Sequence, residues 1–433
     1  MRVKTKNRIF VWALVIVAVL VAIYCVLQFG IGLGKSGWNT DGGIVRYLDN
    51  RGKPQTGWQQ IDGSDYYFAS ENGAMVTGWS TIDGKQYYFA ENGARSTGWL
   101  ELDGKKYYLG ENGILTTGWL ELDGNRYYAG EDGSLTTGWL DLDGKRYYFT
   151  KDGRSATGLV VMDGIGYQFQ EDGSIMTGWH EDATGKYFYD DNGALHTGWL
   201  EWEQKTYYLN ENGAVTTGWL TLDGDRYYFL PSGRMAIGEL EVDGVTRFFT
   251  SKGKEVLLCN PWHAIPDDFI LDLVDAQGFK FDRSAKEPLD QMFAAARKDG
   301  VYVEVNNSYR TIEWQQNKWD RKVAERMAQG MTKEEAERIT GQSLAIPGHS
   351  EHHTGLAMDI NSGGGSYEWM AENCWDYGFI VRYPDDHMNI TGIIYEPWHF
   401  RYVGVELAQE LKNYCCLEEY MAQLTQQQKN IAD

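Results

Sequence analysis

The stretch from position 137 to 149 reads Thr137-Gly-Trp-Leu-Asp-Leu-Asp-Gly-Lys-Arg-Tyr-Tyr-Phe149. Apolar and polar residues alternate on either side of Asp143-Gly144, and an Asp-Gly pair in that setting favours a two-residue hairpin turn. The following Lys151-Asp-Gly153 provides a second turn. The stretch therefore predicts a strand, a tight turn and a second strand.

The same pattern recurs about every twenty residues from 36 to 256. Most units begin with a tryptophan, and Leu159 and Glu239 occupy that position in two others. The tryptophans are Trp38, Trp58, Trp79, Trp99, Trp119, Trp139, Trp179, Trp199 and Trp219. Because a lone hairpin has too little core to be stable, we expect the units to stack into an all-β hairpin-repeat solenoid.

The composition also indicates a repeat array joined to other domains. The 433 residues include 51 glycines, 17 tryptophans and 28 tyrosines but only 8 prolines, which is not an ordinary globular profile. The net charge of -21 would repel phosphates. We therefore expect no nucleic-acid partner.

The N-terminus combines positive charge with a long apolar segment. Arg2, Lys4, Lys6 and Arg8 precede an uncharged segment, 9–33, that is long enough to cross a bilayer as a helix. We predict a cytoplasmic tail at 1–8, a single transmembrane anchor at 9–33 and an extracellular remainder. A cleaved signal peptide is the alternative, although the sequence before residue 33 is a poor match to a cleavage site.

Two clusters near the C-terminus carry residues suited to metal chemistry. The first is Ser350-Glu-His-His-Thr-Gly-Leu-Ala-Met-Asp359, and the second is Glu396-Pro-Trp-His399. We expect His352 on a loop and Asp359 on a short strand, while the proline should kink the chain and turn Glu396 and His399 inward. Two imidazoles and a carboxylate suit a catalytic zinc, and a further glutamate can handle the proton of its water. The clusters indicate a metallopeptidase.

This pattern resembles the VanY-type D-alanyl-D-alanine carboxypeptidases of the M15 zinc peptidase family over about 257–417. The resemblance implies an α+β domain in which Zn²⁺ is the cofactor and Glu396 is the catalytic base. The zinc ligands would be His352, Asp359 and His399. It also implies a catalytic, substrate-binding Arg310, whose guanidinium fork suits a carboxylate or an oxyanion. Substrate binding is further assigned to Ser308, Gln315 and Ser350.

The activity implied by the resemblance is removal of the C-terminal D-alanine from peptidoglycan stem peptides. An L,D-carboxypeptidase or an endopeptidase of the same zinc family stays open, and so does a non-enzymatic wall-binding adhesin. The expected location is the cell membrane of a bacterium, with the bulk of the chain facing the wall. His349 and His353 match no required position, so we interpret them as pocket-lining or solvated residues.

The repeats resemble the cell-wall-binding repeats of choline-binding and glucan-binding proteins. The residues expected to bind the wall ligand are Trp58, Trp79, Trp99, Trp119, Trp139, Trp179, Trp199, Trp219 and Tyr148. In choline binders a second tryptophan precedes the Tyr-Tyr pair, whereas this chain has polar or cationic residues there, such as Lys106 and Arg126. A nearby cation would repel choline, so wall polysaccharide competes with it as ligand. The aromatic residues could also be structural core.

The remaining expectations concern the peptidase domain. Periodicity predicts helices near 288–297, 312–329 and 404–414, another beginning after Thr332, strands at 301–305 and 392–395, and a C-terminal helical tail at 418–433. An extracellular domain can keep a disulfide, and Cys374 with Cys416 is the preferred pair. The alternative is that these thiols are simply buried.

Overall fold

The structure, a computed structural model, describes residues 16–21, 23–24, 35–361 and 363–431. Most of the predicted anchor at 9–33 lies outside this range, as does the whole predicted tail at 1–8. Within the part of the chain that is described, no helix is both long and apolar enough to cross a membrane. The chain divides into two compact units, one up to residue 178 with 189–195, and the other comprising 179–188 and 196 onward.

The repeats form β-hairpins, as the Asp-Gly turns predicted. At this turn Asp143 has φ 52° and Gly144 has φ 74°, and two positive φ values define the mirror-image turn that matches the twist of the strands. The hairpin strands are Gly37–Asp41, Ile44–Leu48, Gly57–Ile61, Ser64–Phe68, Gly78–Ile82, Lys85–Phe89, Gly98–Leu102, Lys105–Leu109, Gly118–Leu122, Asn125–Ala129, Gly138–Leu142, Lys145–Phe149, Gly158–Met162, Ile165–Phe169, Gly178–Asp182, Gly185–Tyr189, Gly198–Trp202, Lys205–Leu209, Gly218–Leu222, Asp225–Phe229, Gly238–Val242 and Val245–Phe249.

Each hairpin is a separate sheet, and aromatic side chains connect it to the next hairpin. Trp58 meets Tyr67 of its own hairpin edge-on at 5.3 Å between ring centroids, and Tyr87 of the following hairpin at 5.0 Å. Phe68 and Phe89 are fully buried beneath these contacts. The last hairpin gains a third strand, Glu255–Val256. Burial of aromatics between neighbours therefore replaces the core that a single hairpin lacks.

The peptidase part is α+β, as predicted. A four-stranded antiparallel sheet has the order Val305–Asn307, Ala357–Ile360, His399–Tyr402 and Phe379–Val381. Leu273–Ala276 and Phe279–Asp282 form a separate hairpin. The α-helices are Arg283–Lys298, Ile312–Ala328, Lys333–Gly341, Ser366–Asn373, Met388–Thr391, Val405–Leu411 and Leu417–Asn430, and short 3-10 helices cover Glu351–His353 and Cys374–Tyr377.

One helix supplies five buried residues of the core behind the sheet. The helix Arg283–Lys298 buries Leu289, Met292 and Phe293 on one face, a spacing typical of an amphipathic helix. These side chains pack in one cluster with Met358 of the central strand and other buried residues of the sheet. The packing holds Ala357–Ile360, the strand that carries Asp359, at a fixed position in the domain.

Three predictions about this domain are wrong. Residues 301–304 form no strand, and the strand expected at 301–305 is instead Val305–Asn307. Residues 392–395 form no strand, because Gly392 adopts φ 77° and ends the helix Met388–Thr391. The predicted Cys374–Cys416 disulfide is absent, and both cysteines are free and buried. Cys374 lies in the core cluster beneath the sheet, whereas Cys416 is the N-cap residue of the helix Leu417–Asn430. Burial raises the pKa of the Cys374 thiol to about 12, so it behaves as a small apolar group.

The segment predicted as a C-terminal tail is a packed helix, Leu417–Asn430, which we call the C-terminal helix. Its Tyr420, Met421 and Leu424 are buried in a cluster that includes Phe248 of the last hairpin. The backbone N–H of Glu239 donates a hydrogen bond of 2.8 Å to Thr425 Oγ1. The C-terminal helix therefore packs directly against the last hairpin.

Candidate active site

The three predicted zinc ligands, His352, Asp359 and His399, lie close together. Strand pairing sets Asp359 directly opposite His399, and the 3-10 turn before the strand carries His352. His399 Nδ1 lies 3.0 Å from Asp359 Oδ1, and His352 Nε2 lies 3.4 Å from Asp359 Oδ2. One donor atom from each residue lies within 4.8 Å of the others. The structure thus brings the predicted ligand set together.

The ring nitrogens that face away from Asp359 have partners of their own. His352 Nδ1 donates to the Ser308 carbonyl at 2.7 Å, and His399 Nε2 lies 3.3 Å from Glu351 Oε2. A metal-binding histidine commonly has its second nitrogen held in this way. Nitrogen and oxygen donors in a buried three-residue set with a cavity beside them fit a zinc ion.

The two imidazoles differ in protonation. Burial lowers the pKa of His352 to about 4, so its ring is neutral at pH 7 and has a free lone pair. Burial alone would also lower the pKa of His399, but hydrogen bonds to Asp359 and Glu351 raise it to about 9. The extra proton of His399 and a metal ion therefore compete for the same side of the ring.

Glu396 lies beside the ligands without joining them. The chain turns at the intervening proline, and the His399 N–H donates to the Glu396 carbonyl at 3.1 Å. Glu396 Oε2 then lies 3.9 Å from His399 Nδ1. Burial raises the pKa of the Glu396 carboxyl to about 7, with the nearby His399 opposing that rise. A carboxyl in this range can both accept and return a proton near neutral pH.

The ligands and Glu396 open onto a cavity of about 170 Å³. Its lining residues are Arg310, Lys318, Ser343, Leu344, Ala345, Ser350, Glu351, His352, Asp359, Tyr383, Ile393, Glu396, Trp398 and His399. Tyr383 packs its ring 4.9 Å from the ring of His399. Two cations, Arg310 and Lys318, line the cavity together with the ligands, and we call these two residues the cationic wall.

Arg310 reaches the site through two polar contacts. Its Nη2 lies 2.9 Å from Asp359 Oδ2, and its Nη1 donates to Gln315 Oε1 at 3.4 Å. Gln315 is fully buried and uses its amide to donate to the Ala345 carbonyl at 2.7 Å. Gln315 thus contacts Arg310 rather than lining the cavity.

The two predicted serines have different positions. Ser350 lines the cavity, whereas Ser308 is fully buried and its hydroxyl donates to the carbonyls of Lys280 and Ala357. The side chain of Ser308 therefore contacts backbone, and its carbonyl is the group that holds a histidine of the site. His353 also lies outside the cavity lining and donates to the Arg310 carbonyl at 2.8 Å.

Sequence reasoning missed Lys318 and Glu351. Lys318 follows Gln315 by one helical turn on Ile312–Ala328, which is a signal that could have been used. Its ammonium lies 5.0 Å from the ring centroid of Trp314, and no carboxylate of the described residues forms an ion pair with it. Burial, together with the charge of Arg310, lowers the pKa of Lys318. An unpaired cation in a cavity is a binding position for an anionic group.

In several repeats the tryptophan face is already covered by a cation of the chain. The guanidinium of Arg126 lies 4.1 Å from the ring centroid of Trp119, and Arg146 lies 4.7 Å from Trp139. The pairs Lys186–Trp179 and Arg226–Trp219 are similar, at 4.5 and 4.1 Å. We call these covered tryptophans.

Other tryptophans have no such contact among the described residues. They are Trp38, Trp79, Trp99 and Trp199, and we call them open tryptophans, whereas the guanidinium of Arg95 lies 5.9 Å from the ring centroid of Trp58. Trp99 is 50% exposed and lies in a cleft whose other lining residues are Leu100, Glu101, Lys106, Tyr127, Asp152 and Arg154. Tyr148, which was also predicted to bind the wall ligand, packs 5.1 Å from Trp139. The aromatic positions of the array are thus not equivalent.

Known protein families match both parts of the chain. Residues 278–405 match the family described as VanY, D-alanyl-D-alanine carboxypeptidase. Residues 76–115 match a choline-binding repeat family. A cell-wall-binding repeat family matches residues 56–75, 117–135, 137–155, 197–215 and 217–235.

Individual relatives are found for the peptidase part. The D-alanyl-D-alanine carboxypeptidase of Enterococcus faecalis is 42% identical over 174 residues, which cover 38% of this chain and 65% of that protein. The bifunctional D-Ala-D-Ala dipeptidase and D-Ala-D-Ala carboxypeptidase VanXYC of Enterococcus gallinarum is 34% identical over 145 residues, covering 30% of this chain and 72% of that protein. The chain therefore belongs to the D-alanyl-D-alanine carboxypeptidase family.

The match is partial in length. The chain spans about 65% of the length of the E. faecalis relative. Among solved structures, the vancomycin resistance D,D-pentapeptidase VanY in complex with Zn(II) is 43% identical, with 38% of this chain and 97% of that chain covered and a TM-score of 0.36.

Proposed function

We propose that this protein is a zinc-dependent carboxypeptidase that removes the C-terminal D-alanine from peptidoglycan stem peptides. The observation that carries the proposal is the convergence of His352, Asp359 and His399 in one cavity with Glu396 and an unpaired cation. The family to which the chain belongs, and the names of its two enterococcal relatives, support the same activity.

The proposed mechanism has three parts: the zinc ligands, Glu396 and Arg310. His352, Asp359 and His399 would hold the zinc, which would act as a Lewis acid on the scissile carbonyl and would lower the pKa of a water. Glu396 accepts the proton of the attacking water and returns it to the leaving amine, as its position beside the ligands and its pKa near 7 allow. Arg310 reaches the same side of the site through its contact with Asp359 and stabilises negative charge there.

The cationic wall favours an exopeptidase. A peptide that ends at the cavity brings a free carboxylate, and Arg310 and Lys318 are both available to receive negative charge. We assign the carboxylate of the leaving residue to Lys318, because this ammonium has no acidic partner among the described residues, and the oxyanion to Arg310. An endopeptidase would have no use for a second cation at this position.

The assay that tests the proposal measures free D-alanine released by the zinc-loaded full chain. We expect release from a stem pentapeptide ending in D-Ala-D-Ala, and none from the tetrapeptide, whose terminal bond joins an L- and a D-centre. Cleavage of the tetrapeptide alone would indicate an L,D-carboxypeptidase, and internal cleavage an endopeptidase. The Glu396→Gln chain is the matched control. If the chain binds both zinc and the cell wall but releases no D-alanine from any of these peptides, the remaining alternative is a wall-binding adhesin.

For the repeats, we propose that they hold the enzyme on wall polysaccharide rather than on choline. A quaternary ammonium binds aromatic faces, and at the covered tryptophans a guanidinium or ammonium of the chain already occupies that face. A sugar ring can stack on the open tryptophans while the polar residues around Trp99 hydrogen-bond its hydroxyls. Several weak sites on one chain raise avidity.

We also propose that the hairpins at 36–256 stack as a solenoid and that 9–33 anchors the chain in the membrane. Regular contacts support stacking, such as the bond of 2.8 Å from Met75 N–H to the Val45 carbonyl two hairpins back along the chain. The basic residues before an uncharged segment support the anchor. Cell fractionation tests it: the full chain should sediment with membranes after wall digestion, and a chain lacking residues 1–33 should not.

A further inference from the structure

Glu351 is a fully buried carboxylate next to a metal ligand, and the mechanism above gives it no task. Its Oε1 accepts a hydrogen bond of 2.7 Å from Arg382 Nε and lies 3.1 Å from Arg401 Nη1. Its Oε2 lies 3.3 Å from His399 Nε2. Glu351 and both arginines are at most 1% exposed. A charge this deeply buried persists only when it is paired, as it is here.

The network continues into the C-terminal helix. Arg382 also donates from Nη1 and Nη2 to the two carboxylate oxygens of Glu418, at 2.9 and 2.6 Å. Glu418 lies in the first turn of the C-terminal helix, which packs against the last hairpin. Two buried arginines thus face two carboxylates, and the charges balance only while the C-terminal helix is in place.

The network also determines how the ring of His399 is oriented. The ring has two nitrogens, and only one of them can face Asp359 and His352. Glu351 accepts a hydrogen bond from the Nε2–H of His399, which leaves the lone pair on Nδ1, the nitrogen that faces Asp359. This arrangement selects both the tautomer and the orientation of the ring.

We propose that Glu351 is a positioning residue of the metal site, holding His399 Nε2 so that Nδ1 faces the metal, and that Glu418 of the C-terminal helix sustains it through Arg382. The proposal rests on the proposed zinc site. If it holds, the C-terminal helix contributes to metal binding through Glu418.

A glutamine amide in place of the Glu351 carboxylate cannot accept both hydrogen bonds. Glu351 accepts from an arginine at one oxygen and from His399 at the other, whereas glutamine has one acceptor and one donor. If the amide oxygen stays with Arg382, its NH₂ faces the ring, and the ring proton must move to Nδ1. That nitrogen can then no longer bind a metal.

The test measures zinc affinity of the full chain by competition with a chromogenic chelator, together with the melting temperature. We expect Glu351→Gln to raise the zinc Kd by about 10- to 100-fold, as for other partners of metal-binding histidines. Glu418→Gln should raise it by a smaller factor, although it touches no ligand. Glu410→Gln is the matched control, because Glu410 accepts hydrogen bonds from Ser251 and Tyr420 and contacts no ligand. It should lower the melting temperature and leave the zinc Kd within twofold of the wild type.

A zinc Kd for Glu351→Gln within twofold of the wild type would overturn the proposal and make Glu351 purely structural. If that variant does not fold, Glu351→Asp replaces it. Aspartate keeps the charge for Arg382 but is too short to reach His399 as well, so zinc should again bind more weakly, and unchanged affinity would overturn the proposal. A wild-type chain that binds no zinc would defeat both this proposal and the proposed activity. A wild-type chain that binds zinc but releases no D-alanine would contradict the proposed activity and leave the role of Glu351 unaffected.

Discussion

The rings of His352 and His399 meet edge to face, with centroids 4.9 Å apart and planes at 87°. This arrangement turns Nε2 of one ring and Nδ1 of the other toward the same carboxylate, Asp359. The perpendicular arrangement comes from the two elements that carry the rings, a 3-10 turn and the first residue of a strand.

The first prediction separates metal binding from proton transfer. His352→Ala should lose zinc and activity together, because it removes one of three ligands. Glu396→Gln should keep zinc at one per chain while kcat falls by about 10²–10⁴, the usual contribution of a general base. Metal content by atomic absorption and D-alanine release on the same samples check both results. Full turnover by the glutamine variant would contradict the role assigned to Glu396.

The second prediction concerns the cationic wall. Lys318→Gln should raise KM for peptides with a free C-terminal carboxylate by about tenfold, since a charge-assisted hydrogen bond is worth about 1.5 kcal/mol or more. The same change should have little effect on a C-terminally amidated peptide, which the wild type should cleave poorly. Arg310→Lys should lower kcat, because a point charge cannot replace the guanidinium fork.

Lys322→Gln is the control for the second prediction, since Lys322 pairs with Glu325 on the same helix and lies outside the cavity. Equal rates of the wild type on free and amidated peptides would contradict a carboxylate-binding wall and favour an endopeptidase.

The third prediction concerns pH. Burial raises the pKa of Glu396 to about 7 from its usual value near 4.5, and a base must be deprotonated to act. The activity should therefore fall as pH drops through the pKa of this carboxyl. A zinc cation beside this carboxylate would lower that pKa, so the acidic limb of kcat/KM should lie between 4.5 and 7. The profile is measured with zinc content determined at each pH, because ligand protonation also releases metal. An acidic limb below pH 4.5 at constant zinc would contradict the placement of Glu396 in a desolvated site.

The convergence of His352, Asp359 and His399 could be predicted because these residues lie in two short motifs whose local geometry is nearly fixed by sequence. Asp359 and His399 each sit on a short strand, and a proline sets the turn before His399. The hairpins could be predicted for the same reason, since Asp-Gly determines the turn. In both cases the sequence motif lies within a few residues of the local structure that it specifies.

The parts that escaped prediction depend on contacts between distant residues. Glu351 is adjacent to a ligand, but its role follows from Arg382 and Glu418, which the fold alone brings to it. The prediction of a disulfide was wrong because the sequence does not say where in the fold each buried cysteine lies. The stacking of Arg126 on Trp119 is also invisible in a repeat alignment, where the position simply looks cationic.

The last prediction concerns which tryptophans bind the wall. Trp99 and Trp139 are well matched, since each packs on a tyrosine of its own hairpin and on one of a later hairpin, with centroids 5.0 to 5.3 Å apart. They differ in that Arg146 covers Trp139. Alanine at either position should therefore lower the melting temperature by a similar amount. Only Trp99→Ala should weaken binding to purified wall glycan in a pelleting assay, by roughly fivefold if one aromatic stack contributes about 1 kcal/mol. Equal weakening by both variants would show that covered and open tryptophans bind alike, and elution of the wild type by choline alone would reverse the preference for polysaccharide.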